Sequence, residues 1–299
     1  MMKKVLAAAL MCAVSSFATW DYFPVQAAGK GEAKLGFAYL MNAGAVEKLS
    51  IMGVGVDARY SIIDGLEAAL FTTFPLSASQ EIDGKSESCK AEGEFVCPPT
   101  YGPIVVGVRY WLPMGLGIAL DVALPMQGDA YPFGGEKNSA KYNTHLDFMP
   151  AIQFSTNLTP ELSLGSQVSL TIPGKTKDEN DVEYTDGMDL GIGVEFDYAI
   201  GSITPYVGVD IALGMTKAKA EANGVKNEAE ETAKAAIDVG LGATFDINEN
   251  MAADVGVVLG FGGRYEHEEV TYDSMGIPTG TEKKSVMPVT IQAHFSYKF

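Results

Sequence analysis

Residues 287–299, MPVTIQAHFSYKF, decide the fold. Val289, Ile291, Ala293, Phe295, Tyr297 and Phe299 fall on one face, and Thr290, Gln292, His294, Ser296 and Lys298 on the other. Strict alternation at period two marks a strand whose two faces meet different solvents. The apolar row is completed by the aromatic Phe299, a pattern that soluble domains seldom expose.

Working back from this stretch, the same alternation recurs eleven times from residue 31 onward. Leu35, Phe37 and Tyr39 share a face in the first segment; Val54, Val56 and Tyr60 do so in the second, against Gly55, Asp57 and Arg59. Further segments begin near residues 66, 104, 116, 146, 162, 189, 203, 236 and 251. The pattern predicts an all-β chain, a transmembrane up-and-down antiparallel β-barrel of twelve strands over residues 31–299. Strands of about 10 to 13 residues are long enough to cross a bilayer when tilted. Connections alternate in length. Brief turns such as Ile63-Asp64-Gly65, Pro113-Met114-Gly115 and Asn248-Glu249-Asn250 are followed by polar loops, among them 75–102, 127–143 and 262–285. A soluble sandwich has no reason to segregate its connections in this way.

Parity supplies a second test. The outward aromatic near the lower end of each even strand is Tyr60, Tyr110, Phe154, Tyr198, Phe245 or Tyr297. Amphipathic rings at one level on all six strands predict an interfacial girdle. A soluble ligand-binding barrel would turn the apolar rows inward. Twelve rows of Leu, Val and Ile would not fill that interior.

The last strand resembles the C-terminal strand of bacterial outer-membrane β-barrels, with Phe295, Tyr297 and Phe299 carrying the resemblance. It implies recognition by the barrel-insertion machinery, an outer-membrane lipid environment and periplasmic termini. The pieces DARYSIIDGLEAALFTTFPL, GPIVVGVRYWL and LGIALDVALP look like the transporter-like family of the MetA pathway of phenol degradation. That resemblance implies passage of small molecules across the outer membrane and transfers no site residues.

Residues 1–18 read as a secretory signal, with Lys3 and Lys4 before an apolar run and Ser16-Phe17-Ala18 at the cleavage site. A second small-residue site lies after Ala27, farther from the apolar core. Met11 is too large for a lipobox before Cys12. Residues 19–30 form a lead-in, with Trp20, Tyr22 and Phe23 tucked under the barrel mouth. Removing Lys3 and Lys4 with the signal takes the formal charge from −17 to −19. So acidic a chain is a poor partner for nucleic acid.

Inward parity predicts what lines the lumen. Arg59, Glu67 and Arg109 lie at similar height near the short-turn end, as do Lys34, Lys298 and Asp254 across the seam; both groups read as structural ion pairs. Higher up, Asp121, Asp147, Asp189, Asp210 and Asp238 show no basic inward neighbour in the sequence, and such a wall favours cations over anions. The opposing reading has loop lysines such as Lys217, Lys219 or Lys226 neutralise it. Cys89 and Cys97, in one loop of an exported chain, predict a loop-local disulfide. His145, His267 and His294 are scattered without partnered nucleophiles, so no catalytic site, metal or cofactor is expected. The Ala-, Glu- and Lys-rich segment 217–236 has the composition of a short helix above the barrel. The expected function is a narrow channel or transporter for small solutes; the alternative is a closed barrel acting through its loops in surface adhesion or binding.

Overall fold

A computed structural model describes residues 22–23, 27–43, 48–82, 85–88, 102–125, 127–129, 141–143, 146–177, 183–222, 225–229, 234–272 and 278–299. Twelve antiparallel strands close into one barrel. They are β1 Gly31–Met41, β2 Leu49–Ile63, β3 Leu66–Ile82, β4 Val105–Trp111, β5 Leu116–Ala123 and β6 Asp147–Asn157. The second half comprises β7 Leu162–Thr171, β8 Asp189–Tyr198, β9 Ile203–Gly214, β10 Ala236–Asn248, β11 Met251–Phe261 and β12 Val289–Lys298. Each strand pairs with its sequence neighbours, and β1 pairs with β12 to close the ring. All twelve strands expected from the alternation are present.

Closure runs to the last residue. Phe299 and Gly31 exchange backbone hydrogen bonds of 2.9 Å in both directions, extending the β1–β12 ladder. In hydrocarbon no water replaces a missing partner, so every such pair matters. Gly31 is required by this approach: a Cβ there would stand 2.5 Å from Phe299 Cζ and 2.9 Å from the Arg59 carbonyl.

The apolar rows face outward and the polar rows inward. Leu35, Phe37 and Tyr39 of β1 are exposed, whereas Glu32 and Ala38 are buried. Register shifts occur near strand ends, between Ser61 and Ile63 and between Asp246 and Asn248, and once within a strand pair. Between β2 and β3 the register shifts, Met52 pairing with Ser77 and Gly53 with Pro75, which leaves Leu76 as an extra residue. Below this bulge Glu67, Ala69, Phe71 and Thr73 are buried; above it Ala78 and Gln80 are. Pro75 has no N–H for the ladder, and a bulge beside it absorbs that loss. The expected loop from residue 75 is therefore shorter than the sequence reading. β3 continues to Ile82, and Lys85–Ser88 folds back to pair with its end.

At the opposite end the turns are tight, with Gly65 (φ 81°) and Gly115 (φ 80°) in the left-handed region that glycine tolerates. At the long-loop end, Lys175–Lys177, Glu183–Thr185, Ala218–Ala222 and Val225–Ala229 form a four-stranded sheet from two different loops. The helix expected within 217–236 is thus corrected to a hairpin of Ala218–Ala222 with Val225–Ala229. Pairing of Ala218–Ala222 with Glu183–Thr185 overrides the helical preference of its alanines and charged residues. In this sheet the Glu183 carboxylate lies 2.6 Å from Lys175 Nζ and holds that ammonium above its ordinary pKa. Glu266–Tyr272 and Pro278–Ser285 make a further hairpin.

The seam gives a direct test. Gly31→Val should destabilise the barrel by roughly 1–3 kcal/mol, the usual range for overpacking. The temperature of heat-modifiable migration should fall accordingly. Gly240→Ala, where a Cβ would meet only Val258 Cγ2 at 3.9 Å, should leave it unchanged.

Candidate functional site: the barrel lumen

The inward row builds two polar assemblies near the short-turn end. In the first, Arg109 of β4 donates through Nε and Nη2 to Glu67 Oε2 of β3, at 2.9 and 2.6 Å. Its Nη1 donates to Gln153 Oε1 of β6 at 3.1 Å, and Gln153 Nε2 donates to Gln167 Oε1 of β7 at 2.7 Å. Arg109 and Gln153 are fully buried. The guanidinium lies 5.2 Å from the Trp111 ring centroid, and that ring packs over Gly117, where a Cβ would meet it at 3.1 Å. The cation thus ties β3, β4 and β6 together, and Gln153 carries the network on to β7. Arg59 of β2 takes a different partner, Glu32 of β1, at 2.7 Å. The expected ion pairing of Glu67 with Arg109 is thus present, and Arg59 gains a carboxylate from β1 as well.

The second assembly centres on Asp254 of β11. Tyr206 of β9 and Thr244 of β10 each donate to it at 3.2 Å, and His294 Nδ1 of β12 lies 3.3 Å away. The Tyr206 ring covers Gly242 and Gly256, occupying the space where their side chains would stand. Register sets Lys34 opposite Asp57 and Lys298 opposite Glu32, while Asp254 is held by these other groups.

Around the barrel, the acidic residues gather on one side. β8 to β11 carry seven carboxylates (Asp189, Glu195, Asp197, Asp210, Asp238, Asp246 and Asp254) and no lysine or arginine. By parity all seven lie on the inward face. Asp210 and Asp238 are directly opposite in the β9–β10 ladder. β1 and β2, by contrast, carry as many inward bases as acids: Lys34 and Arg59 against Glu32 and Asp57.

Three of these carboxylates are engaged by groups from outside the strands. Arg264, in the turn Gly263–Tyr265 after β11, grips Asp189 through Nη1 at 2.8 Å and through Nη2. This corrects the expectation that Asp189 has no basic neighbour: the base comes from a loop, where strand parity does not see it. Tyr265 donates to Asp238 at 2.9 Å. The Tyr22 hydroxyl, from the lead-in, donates to Asp210. Asp121 is buried on β5, and Asp147 accepts from the Gly174 N–H at 3.1 Å.

On the outside, Tyr60, Tyr110, Phe154, Tyr198, Phe245 and Tyr297 are all between 40 and 48% exposed, so they face away from the lumen. Each sits opposite the first residue of a neighbouring strand: Gly31, Leu66, Leu116, Leu162, Ile203 and Met251 respectively. The six rings therefore stand at one level beside the short turns. Phe295 and Phe299 are exposed on the same face as Tyr297. Cys89, Cys97 and His145, and the side chain of His267, lie outside the described residues. Among the described residues no group of three His, Cys, Asp or Glu is arranged to hold a metal ion.

A family model described as the Opacity family porin protein matches residues 154–282, from the end of β6 through the segment before β12. No curated protein matches in sequence. Among solved structures, an outer-membrane channel from Pseudomonas putida F1 superposes with a TM-score of 0.60 at 11% identity, covering 93% of this chain and 98% of that one. The NanC porin superposes with a TM-score of 0.51 at 10% identity, over 89% of this chain and 100% of that one. The chain has the fold of bacterial outer-membrane β-barrels.

The buried Arg109–Glu67 pair yields a stability test. Arg109→Met should cost about 3–5 kcal/mol, because it strands a buried carboxylate. Arg109→Met with Glu67→Leu should recover much of the loss. Urea unfolding in lipid vesicles, arranged as a double-mutant cycle, reads both effects.

Proposed function

We propose that the protein is an outer-membrane channel for small solutes, exported by the signal at residues 1–18, with its termini and short turns on the periplasmic side. Residues 31–299 form the whole channel, and the chemistry is passage rather than catalysis. The observation that carries this reading is the one-sided lumen wall of β8 to β11, seven carboxylates with no base on the same strands. Such a wall raises the local concentration of cations and disfavours anions. Cationic or neutral polar solutes of small size are the class it suits. Asp121 and Asp147 extend the acidic lining onto β5 and β6, while the Arg59 and Arg109 pairs narrow the periplasmic mouth.

The level ring of Tyr60, Tyr110, Phe154, Tyr198, Phe245 and Tyr297 fits the periplasmic lipid interface, where amphipathic rings are favoured. Phe295, Tyr297 and Phe299 serve as the insertion signal read by the assembly machinery. Twelve strands lie between the filled eight-stranded barrel and the wide sixteen-stranded porin, so the passage is narrow. In an oxidising envelope, Cys89 and Cys97 close a disulfide within the loop after β3. No cofactor or nucleic acid takes part.

A second reading has its own support. The four-stranded sheet assembled from the loops after β7 and β9 is an ordered surface of the kind a cell-surface adhesion or binding protein would use. On that reading the barrel is closed and only anchors the loops.

Planar bilayers separate the two. A salt gradient across single channels of the refolded protein should give a cation-selective reversal potential. Asp121→Asn combined with Asp238→Asn should shift it toward zero. An anion-selective potential, or one unmoved by the double substitution, would sink the acidic-lumen reading; silence from a folded barrel would leave the loops as the working part.

A further inference from the structure

Two residues of the lead-in lie inside the barrel. Tyr22 is buried, and its hydroxyl donates to Asp210 on β9. Its Cβ and the Phe23 ring fill the space above Gly165 of β7, where an added Cβ would stand 3.0 Å from Phe23 Cζ and closer still to Tyr22. Its hydroxyl end covers Gly193 of β8, and a side chain there would collide with it. Three adjacent strands therefore contribute to one seat: two sites without side chains and one carboxylate acceptor. The inward neighbours of that seat include Ser163, Gln167 and Glu195, none of which is bulky and apolar.

The chain leaving this seat is pinned at the short-turn mouth. The Ala28 N–H donates to Asp64 at 3.1 Å in the β2–β3 turn. The Gly29 N–H donates to the Ser61 carbonyl, and the Ser61 N–H to the Lys30 carbonyl, both at 2.8 Å. Gly29 holds φ at 77°, a left-handed conformation that turns the chain as it approaches β1. The segment is thus held at two points, one in the lumen and one at the rim.

We infer that Tyr22 and Phe23 are a tethered internal plug, latched on Asp210, and that they set how far the lumen conducts. The inference rests on the channel reading. A phenol suits this acceptor: it is neutral, needs no counter-ion, and donates one hydrogen bond to a carboxylate in an acidic wall. Its release costs one hydrogen bond and the packing over two glycines, a contact that solute or potential can disturb. The plug also gives meaning to the two signal-cleavage positions. A cut after Ala18 keeps it, and a cut after Ala27 removes it.

Four refolded forms test this: the chain from Thr19, the chain from Ala28, and the Thr19 form carrying Tyr22→Ala or Tyr22→Phe. Heat-modifiable migration establishes that each has folded. In planar bilayers with potassium chloride, the Thr19 form should show small, flickering steps. The Ala28 form and Tyr22→Ala should conduct severalfold more. Tyr22→Phe, which keeps the ring and loses the latch, should open more often at an unchanged small step. Equal conductance of the Thr19 and Ala28 forms would overturn the plug and leave the channel standing. Silence in both would overturn the channel and the plug with it. Terminal sequencing of the protein from outer membranes adds an independent arm, since a mature chain starting at Ala28 would show that the native protein carries no plug.

Discussion

The structure depends on one constraint: in hydrocarbon, each backbone N–H and C=O of a strand needs a partner within the protein. A sheet with free edges fails that requirement; a ring of strands meets it. Every other feature follows from closing the ring. The β1–β12 ladder is complete through Gly31 and Phe299, and Gly31 is the residue that lets the aromatic end approach. Strand prolines are accommodated in two ways: Pro75 lies beside the bulge at Leu76, while Pro150 and Pro205 sit in unbroken ladders.

Once closed, the barrel leaves its inner face to be filled. This chain fills it by two devices. One sets an aromatic side chain over glycines of the following strands, as Trp111 does over Gly117 and Tyr206 over Gly242 and Gly256. The other sets a charge among hydrogen-bond partners on several strands, as Arg109 does with Glu67 and Gln153. Both are confined to positions where the lumen needs bracing. The strands β8 to β11 add seven inward carboxylates to this lining.

The barrel was legible because its signal is repeated. Period-two alternation does not depend on any single residue, and the girdle positions from Tyr60 to Tyr297 gave an independent check of parity. Parity assigns a residue to a face but does not choose its neighbour. It placed Arg59, Glu67 and Arg109 together inside, but did not single out Glu32 as a partner of Arg59 or Gln153 as a partner of Arg109. It was also blind to groups outside the strands. Arg264 and Tyr265 reach Asp189 and Asp238 from a turn without alternation, and Tyr22 reaches Asp210 from the lead-in. Composition misled at Ala218–Ala222, where helix-forming residues pair as a strand because a neighbouring loop offers an edge.

The two faces of each strand meet two solvents, lipid outside and a polar lumen inside. Single cysteines at 291, 292, 293, 294 and 295, each carrying an environment-sensitive fluorophore in lipid vesicles, test it residue by residue. A lipid-borne quencher should act at 291, 293 and 295, and a water-soluble one at 292 and 294. Loss of the alternation, or its reversal with lipid quenching at 292 and 294, would contradict the barrel described here.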